Sequence, residues 1–286
     1  MHFSGDFHFL HYADDTTLVK SGSCLSQLVL EVNQHLVHVG RWICANRLSL
    51  NVSKTKFMLF TNKINPVPTS ISIGGEVIER TDQMNFLGIL MDSRLAFSDH
   101  IKSVSNKVSR GIGIIRKLSY FIPKSVLRTL YFALVYPHLT YGIEIFGFSS
   151  KTQMSKLDSL LNRCVKLLCG GSSPQYVHYK LLNLLSLRDI ARFFCLMRFF
   201  RYYVLETSSY FMSKYLNCLP THNRVTRFRL RDVFNAPEIK LSCIYNSFFY
   251  NSMNLFGNLP PEICQIETLY KFKKSLRNYL LVNVQN

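Results

Sequence analysis

FHFLHYADDTTLV, residues 7–19, places the adjacent acids Asp14 and Asp15 between two runs of aromatic and β-branched residues. Such runs favour extended strands, and an acidic pair between them favours a turn. The sequence therefore predicts a β-hairpin whose tip carries two carboxylates, which are ligands that hard divalent ions prefer. Aspartate also favours turns through its own hydrogen bonding, so the pair alone is compatible with a purely structural role.

Two further segments follow this predicted hairpin in a fixed order. An apolar stripe with helical spacing runs between Leu25 and Ile43, and residues 42–56 then read WICANRLSLNVSKTK. Residues 86–101 read FLGILMDSRLAFSDHI, in which a Leu-Gly pair is followed by an Asp, an aromatic residue and His-Ile. Three ordered motifs are far more specific than any one of them.

Together these segments resemble the reverse transcriptases of non-LTR retrotransposons, in particular those of jockey-like elements. The resemblance continues through a thumb-like stretch at residues 117–142 to an Asn-x-Pro box within residues 255–263. It implies an RNA-directed DNA polymerase that uses two Mg²⁺ ions and takes an RNA template, a DNA primer or duplex and deoxynucleoside triphosphates.

The same resemblance implies roles for particular residues of this chain. Asp14 and Asp15 would be catalytic metal ligands, with Asp14 the more direct one, and Lys54 would be the acid for the leaving pyrophosphate. The residues implied to position the primer end are Phe86, Leu87 and Gly88.

Reverse transcriptases carry a third metal-binding Asp on an earlier strand, and only eleven residues precede Tyr12. Asp6 lies too close to the hairpin to serve as that ligand. We therefore expect the chain to correspond to the C-terminal part of the polymerase and to be inactive alone, because two carboxylates do not assemble a two-ion site. A non-catalytic nucleic-acid-binding module and a decayed remnant of an element are the two alternatives at this point.

The net charge of +17 is distributed unevenly along the chain. Residues through Asp92 carry a net charge of −1, and the remainder carries +18. A region of this kind favours a polyanionic partner, since phosphate neutralisation supplies most non-specific affinity for nucleic acid. A basic protein without such a partner is the plainer alternative. The predicted nucleic-acid-binding residues are Lys102, Lys107, Arg110, Arg116, Lys117, Lys124 and Arg128.

Apolar periodicity in this basic region predicts a thumb of three helices with cationic outer faces. The first covers residues 101–118, and the second begins with Pro123 at its first helical position. The third is capped by Thr152 and ended by Gly170 and Gly171.

Residues 71–73 and 77–78 flank Gly74 and Gly75 as a second hairpin, and residues 56–60 predict another strand. The predicted fold class is therefore α+β, with a small antiparallel palm remnant followed by a mainly helical region. The predicted domains are a partial palm at residues 1–92, a thumb-like helical domain at 93–171 and a basic C-terminal region at 172–286.

In that C-terminal region, residues 193–203 are almost entirely aromatic or apolar with interspersed arginines. They predict a buried helix whose arginines extend to solvent, and a surface that stacks on bases is the alternative. Arg227, Arg229 and Arg231 alternate with apolar residues, as in a strand with one basic face, and a solvated edge is the plainer alternative.

The apolar run at residues 130–148 contains Pro137, His138 and Glu144. We therefore expect a helix that stops at Pro137 rather than a membrane span. The eight cysteines show no disulfide or zinc pattern, and residues 1–6 lack the features of a secretory signal. A nuclear or cytoplasmic location is expected, with no membrane partner.

Overall fold

The computed structural model describes residues 7–61, 70–170, 175–203 and 246–283. The chain forms two compact units. The first contains the residues up to Phe86 together with Asp92–Arg94, and the second contains Leu87–Met91 and the residues from Leu95 onwards. This division lies close to residue 92, where the sequence predicts the end of the palm-like part. The three functional domains predicted from the sequence stay a prediction.

The first unit consists of one long helix and short strands. Its elements are β1 (His8–Tyr12), β2 (Asp15–Val19), α1 (Leu25–Ala45), β3 (Lys56–Phe57), β4 (Ile71–Ile73), β5 (Glu76–Arg80) and β6 (Gln83–Phe86). Strands β1 and β2 pair antiparallel, and so do β4 and β5 around Gly74 and Gly75. Strand β3 is shorter than predicted and pairs in parallel with β5, a non-local pairing that local sequence patterns do not reveal.

Helix α1 carries the predicted apolar stripe, with Leu36 as its buried residue. Leu36 belongs to a small core that also contains Ile73 of β4. The side-chain amide of Asn33 donates to the carbonyl of Ser70 (3.1 Å) and accepts from the backbone N–H of Ser72 (2.9 Å). These bonds fix the position at which the helix packs on β4.

The second unit is mainly helical and has one continuous hydrophobic core. Its elements are β7 (Ile89–Asp92, whose last residue belongs to the first unit), α2 (Ser98–Leu118), α3 (Lys124–Leu134), α4 (Tyr136–Thr140), α5 (Ile143–Phe146), α6 (Lys151–Cys169), α7 (Gln175–Leu181), α8 (Leu187–Tyr203), α9 (Phe248–Gly257), α10 (Pro261–Cys264) and α11 (Leu269–Val282). Helix α2 packs against α3 and α6, while α8 packs against α5, α9 and α11. The described C-terminal helices therefore share a core with the three thumb-like helices.

Helix α2 buries the apolar stripe that its sequence predicts, including the fully buried Val108 and Ile115. Gly111 lies in the same stripe, and a Cβ atom there would come within 2.7 Å of the carbonyl oxygen of Leu134. The absence of a side chain therefore allows α2 to approach the end of α3 at backbone distance.

Two helix starts differ from the prediction. Pro123 is the N-cap of α3 and not its first residue: its ψ is 151°, and its carbonyl accepts from the N–H of Leu127 at 3.1 Å. Helix α6 is capped by Ser150, whose hydroxyl accepts from the N–H of Gln153, so the prediction of Thr152 as the cap is wrong. In both cases the cap is the last residue with extended backbone before the helix.

The prediction that a helix stops at Pro137 is also wrong in detail. Helix α3 already ends at Leu134, and Pro137 lies in the first turn of α4. An N–H in a first turn has no intrahelical acceptor, so proline is accommodated there without losing a hydrogen bond. Gly170 ends α6 in the left-handed conformation, as predicted.

Helix α8 confirms the buried helix predicted at residues 193–203. Phe193, Phe199 and Phe200 are buried in the core, so these rings are not accessible to bases. Arg198 does more than extend to solvent, because its guanidinium lies 2.6 Å from a carboxylate oxygen of the buried Glu144. The helix is therefore held by aromatic packing and by an ion pair to α5.

The predicted strand with Arg227, Arg229 and Arg231, and the predicted helix end at Gly171, lie outside the described residues. Within the described ranges, no helix is both long and apolar enough to cross a bilayer. The α+β class predicted from the sequence is confirmed by the succession of small sheets and helices.

Candidate functional site

The acidic pair lies at the tip of the β1–β2 hairpin, as the sequence predicts. Tyr12 pairs with Asp15, so Ala13 and Asp14 form a two-residue turn. Ala13 has a φ of +51°, a conformation in which glycine is normally favoured. An alanine held in this region of backbone space costs free energy, which the pairing of the two flanking strands must offset.

The hairpin has two different faces because side chains alternate along each strand. One face contacts α1: the ring of Phe7 lies edge-on to His35 at 5.2 Å, and Lys20 forms an ion pair with Glu31 at 2.7 Å. The hydrogen bonds that Lys20 and Gln27 donate to the Glu31 carboxylate, with a smaller contribution from the charge of Lys20, lower the pKa of Glu31. These contacts tie the open end of the hairpin, opposite its tip, to the helix.

Both carboxylates of the tip are exposed to solvent. Asp15 lies opposite Tyr12 on the face away from α1, and Asp14 occupies the turn itself. Carboxylate oxygens in this setting can ligate a hard divalent ion without first breaking an ion pair. Among the described residues, however, no group of three His, Cys, Asp or Glu side chains is placed to hold a metal. Within the described residues, the pair alone therefore does not complete a metal site.

Lys54, the predicted acid for pyrophosphate, is exposed in a turn after α1. Its backbone N–H donates to the side chain of Asn51 at 3.2 Å. In the described part of the chain, the Lys54 ammonium forms no ion pair with Asp14 or Asp15. The structure does not bring the predicted acid into contact with the predicted metal ligands.

The predicted primer-grip residues form a tight turn. Leu87 and Gly88 have φ values of +47° and +82°, which directs the chain back after the half-buried Phe86. The hydroxyl of Tyr141 donates to the carbonyl of Leu87 at 2.5 Å. A Cβ atom on Gly88 would lie 3.2 Å from the Tyr141 ring. The turn is therefore held from the junction of α4 and α5.

His100, part of the His-Ile pair in the same motif, has a structural role in the second unit. Its Nδ1 accepts from the backbone N–H of Leu90 at 3.2 Å, and its ring lies edge-on to Phe146 at 4.8 Å. Burial, with a smaller contribution from the charge of Lys107, lowers the pKa of His100. An acceptor Nδ1 requires the proton on Nε2, which is buried and has no hydrogen-bond partner among the described residues.

The predicted nucleic-acid-binding residues fall into two groups. Five of them lie exposed on α2, opposite its buried stripe, and none of the five forms an ion pair within the residues that the structure describes: Lys102, Lys107, Arg110, Arg116 and Lys117. No acidic residue occurs between His100 and Ile143. The outer face of α2 is therefore strongly positive, and the one acidic residue of the helix, Asp99, lies in its first turn.

Lys124 and Arg128 differ from these five because they make internal contacts. The Lys124 ammonium donates to the carbonyl of Cys169 at the end of α6, at 2.7 Å. The Arg128 guanidinium donates to the carbonyl of Leu182 at 3.4 Å and lies 5.0 Å from the centre of the Phe132 ring. Both residues are exposed, but part of their hydrogen-bonding capacity serves the fold.

Three features of the second unit were missed in the sequence. Tyr141 contacts a residue 54 positions away, and no periodic pattern identifies such a contact. Tyr120 and Phe121 are highly exposed between α2 and α3, although aromatic residues at a helix end usually indicate packing. Lys271, Lys273 and Lys274 are exposed on α11, and their clustering could have been noted from the sequence.

Comparison with known proteins identifies relatives of one kind. The chain is 29% identical over 170 residues to the probable RNA-directed DNA polymerase from transposon BS of Drosophila melanogaster, with 58% of this chain and 18% of the relative covered. It is 25% identical over 176 residues to the RNA-directed DNA polymerase from mobile element jockey of Drosophila funebris, with 60% and 19% covered. The corresponding jockey protein of Drosophila melanogaster is 23% identical over 172 residues, with 58% and 18% covered.

The chain thus aligns with about a fifth of the length of these curated relatives. No protein-family model matches the chain, and no solved structure matches it significantly. The resemblance indicated by the ordered motifs is nevertheless confirmed: over more than half of its length, this chain is similar to the RNA-directed DNA polymerases of jockey-like and other non-LTR retrotransposons.

Proposed function

We propose that this chain is the C-terminal part of an RNA-directed DNA polymerase of a non-LTR retrotransposon. The observation that carries the proposal is the placement of Asp14 and Asp15 at the exposed tip of a supported hairpin, in a chain similar to such polymerases. In this proposal the polymerase copies element RNA into DNA from a primer end, using deoxynucleoside triphosphates.

The metal would be Mg²⁺, and the donor chemistry of the hairpin tip fits it. Asp14 and Asp15 offer anionic oxygens, the ligands that this ion prefers, and both are exposed. When bound, a pair of such ions supplies Lewis-acid stabilisation of the charge that develops during nucleotidyl transfer. The third carboxylate of the site would come from a segment of the polymerase other than the described residues of this chain.

Lys54 of the first unit and the turn that follows Phe86 have further proposed roles in this reaction. The exposed Lys54 would donate a proton to the leaving pyrophosphate, which requires it to approach the hairpin tip in the complete enzyme. The turn at Leu87 and Gly88 would contact the primer end, and Tyr141 would hold that turn in position.

The outer face of α2 is proposed to contact the phosphates of the primer–template duplex. Its exposed cations have no acidic neighbours in the sequence from His100 to Ile143. Neutralising phosphates releases counterions, so binding should weaken steeply as the salt concentration rises. A reducing nuclear or cytosolic compartment suits this role, and the described cysteines, including the exposed Cys24 and Cys44, are free thiols.

Primer extension on an RNA template tests the proposal. The assay compares the longest in-frame polypeptide that contains this sequence with its Asp14→Asn and Asp15→Asn variants. Glu76→Gln is the matched control, because Glu76 is also an exposed acid that directly follows a two-residue hairpin turn. We expect each Asp variant to lose incorporation by at least about 100-fold while Glu76→Gln stays active.

The 286-residue chain itself should bind primer–template without incorporating nucleotides. Incorporation by this chain alone would show that a third carboxylate is not needed from elsewhere. Equal activity of the Asp variants and Glu76→Gln would contradict a metal-binding role for the hairpin. If no in-frame polypeptide is active but the chain binds nucleic acid, the non-catalytic binding module is the better description.

A further inference from the structure

The α2–α3 connection presents two aromatic side chains to solvent. Tyr120 is 79% exposed and Phe121 is 83% exposed, the highest values among the large apolar side chains of the described residues. A ring of this size normally buries a large area in a core or an interface. Two adjacent exposed rings are therefore a candidate contact surface.

The exposure of the two rings is a property of an ordered turn. The N–H groups of Phe121 and Ile122 both donate to the carbonyl of Leu118, at 2.9 and 3.1 Å. The hydroxyl of Ser119 donates to the carbonyl of Arg116 at 2.7 Å. Ile122 packs against the core, while the two residues before it, Tyr120 and Phe121, face outwards. The backbone is thus fixed before any partner binds, which lowers the entropy that binding must overcome.

The charges around the rings indicate the chemistry of that partner. Arg116 and Lys117 lie in the last turn of α2, directly before the connection, and both are exposed. The whole stretch from His100 to Ile143 contains seven Lys or Arg residues and no acid. A protein partner would need a matching acidic rim, whereas nucleic acid offers phosphates and flat aromatic bases together.

We propose that Tyr120 and Phe121 form a stacking site for unpaired bases of a nucleic-acid strand whose phosphates contact the cations at the end of α2. This inference rests on the proposed function, since it specifies the kind of strand that the second unit binds. Bases within a duplex are covered by their neighbours, so the site would take a single-stranded template or a frayed primer end. Stacking on rings tolerates any base sequence.

The experiment measures binding of three labelled oligonucleotides to the full chain by fluorescence anisotropy. The probes are a single-stranded oligothymidine, an abasic strand of the same length and a duplex. The protein variants are Tyr120→Ala/Phe121→Ala and Tyr120→Leu/Phe121→Leu. Because both side chains are highly exposed, the substitutions should leave the fold intact, which thermal unfolding checks.

We expect the Ala double variant to bind the single strand at least about five-fold more weakly per ring removed. The Leu double variant should lose a similar factor, because leucine keeps the apolar character but has no ring to stack. Binding of the abasic strand and the duplex should be the same for wild type and variants. The slope of affinity against salt should also be unchanged, since no charge is removed.

The possible failures are distinguishable. If the wild-type chain binds none of the three probes, both the proposed function of the second unit and this inference are wrong. If it binds them but the variants bind the single strand as tightly as wild type, only the stacking site is wrong. Full affinity of the Leu variant would indicate an apolar contact without stacking, as in a protein-docking surface, and would also overturn the inference.

Discussion

The hydroxyl of Tyr141 donates a 2.5 Å hydrogen bond to the carbonyl of Leu87, joining two turns that are 54 residues apart in the sequence. Leu87 is in the left-handed region of backbone space, as residues of tight turns often are. Gly88 lies against the ring of the same tyrosine. One side chain therefore fixes both the direction and the packing of the proposed primer-grip turn.

The first prediction concerns this hydrogen bond. Tyr141→Phe removes the donor but keeps the ring, so we expect a loss of about 0.5–1.5 kcal/mol in the free energy of unfolding. Amide hydrogen exchange at Gly88 and Ile89 should become faster as the turn loosens. The control is Tyr270→Phe, since Tyr270 is 76% exposed and makes no hydrogen bond within the described residues. Equal exchange rates in the two variants would contradict the anchoring role.

The second prediction compares two glycines of the same unit. Gly88 has a φ of +82° and contacts the Tyr141 ring, so Gly88→Ala should destabilise the protein by about 1 kcal/mol or more. Gly113 lies exposed on helix α2 with no atom within 4 Å of an added Cβ, so Gly113→Ala should stabilise by about 0.5–1 kcal/mol. Urea unfolding measures both changes. If both substitutions stabilised the protein, or both destabilised it, the backbone conformations described for Gly88 and Gly113 would be wrong.

The third prediction follows from the buried ring of His100. Its pKa is lower in the folded state than the ordinary value of about 6.5, so the folded protein binds fewer protons there than the unfolded chain. The free energy of unfolding should therefore increase as the pH rises towards about 6.5 and decrease as the pH falls below that value. His100→Asn retains an acceptor for the N–H of Leu90 but cannot titrate.

Urea unfolding between about pH 7.5 and about pH 5.5 measures this effect. We expect wild type to lose more stability than His100→Asn over that range. His138→Asn is the control, because His138 is exposed. A wild-type pH profile that is parallel to that of His100→Asn would show that the buried histidine is not responsible.

Local patterns in the sequence were sufficient where the structure depends on neighbours along the chain. Aromatic and β-branched runs around Asp14 and Asp15 predict a hairpin with the acids at its tip, and the observed pairing places Asp14 in the turn and Asp15 directly after it. The apolar stripes of α2 and α6 predict buried faces, and both helices bury them. In these elements, the spacing of apolar residues along the chain predicts which face of the helix or strand is buried.

Local patterns were insufficient where the outcome depends on the exact backbone conformation or on contacts between distant parts of the chain. Ser150 and Thr152 are both capable caps, and only the extended backbone of Ser150 selects between them. Lys124 stays a predicted phosphate contact, but the sequence did not reveal the bond from its ammonium to a carbonyl 45 residues away. Its charge was visible in the sequence, whereas its partner depends on how α3 packs on α6.

The fourth prediction tests this structural role of Lys124. Lys124→Met removes the ammonium that neutralises the C-terminal carbonyls of α6, so we expect a loss of about 0.5–1 kcal/mol in the free energy of unfolding. Lys156→Met is the control, because Lys156 is exposed in the first half of the same helix. If the two substitutions change stability equally, the contact with Cys169 contributes nothing specific.

The last prediction distinguishes nucleic-acid binding through the outer face of α2 from binding that depends only on the net charge of the chain. Arg116→Ala/Lys117→Ala removes two exposed cations that make no ion pair in the described chain. If both contact phosphates, the slope of log affinity for duplex against log salt should flatten by about 1.8, or about 0.9 for each contact. The control Lys156→Ala/Arg163→Ala removes the same charge from the exposed side of α6 and should leave the slope nearly unchanged. Equal flattening in both double variants would show that binding depends on total charge and not on this helix face.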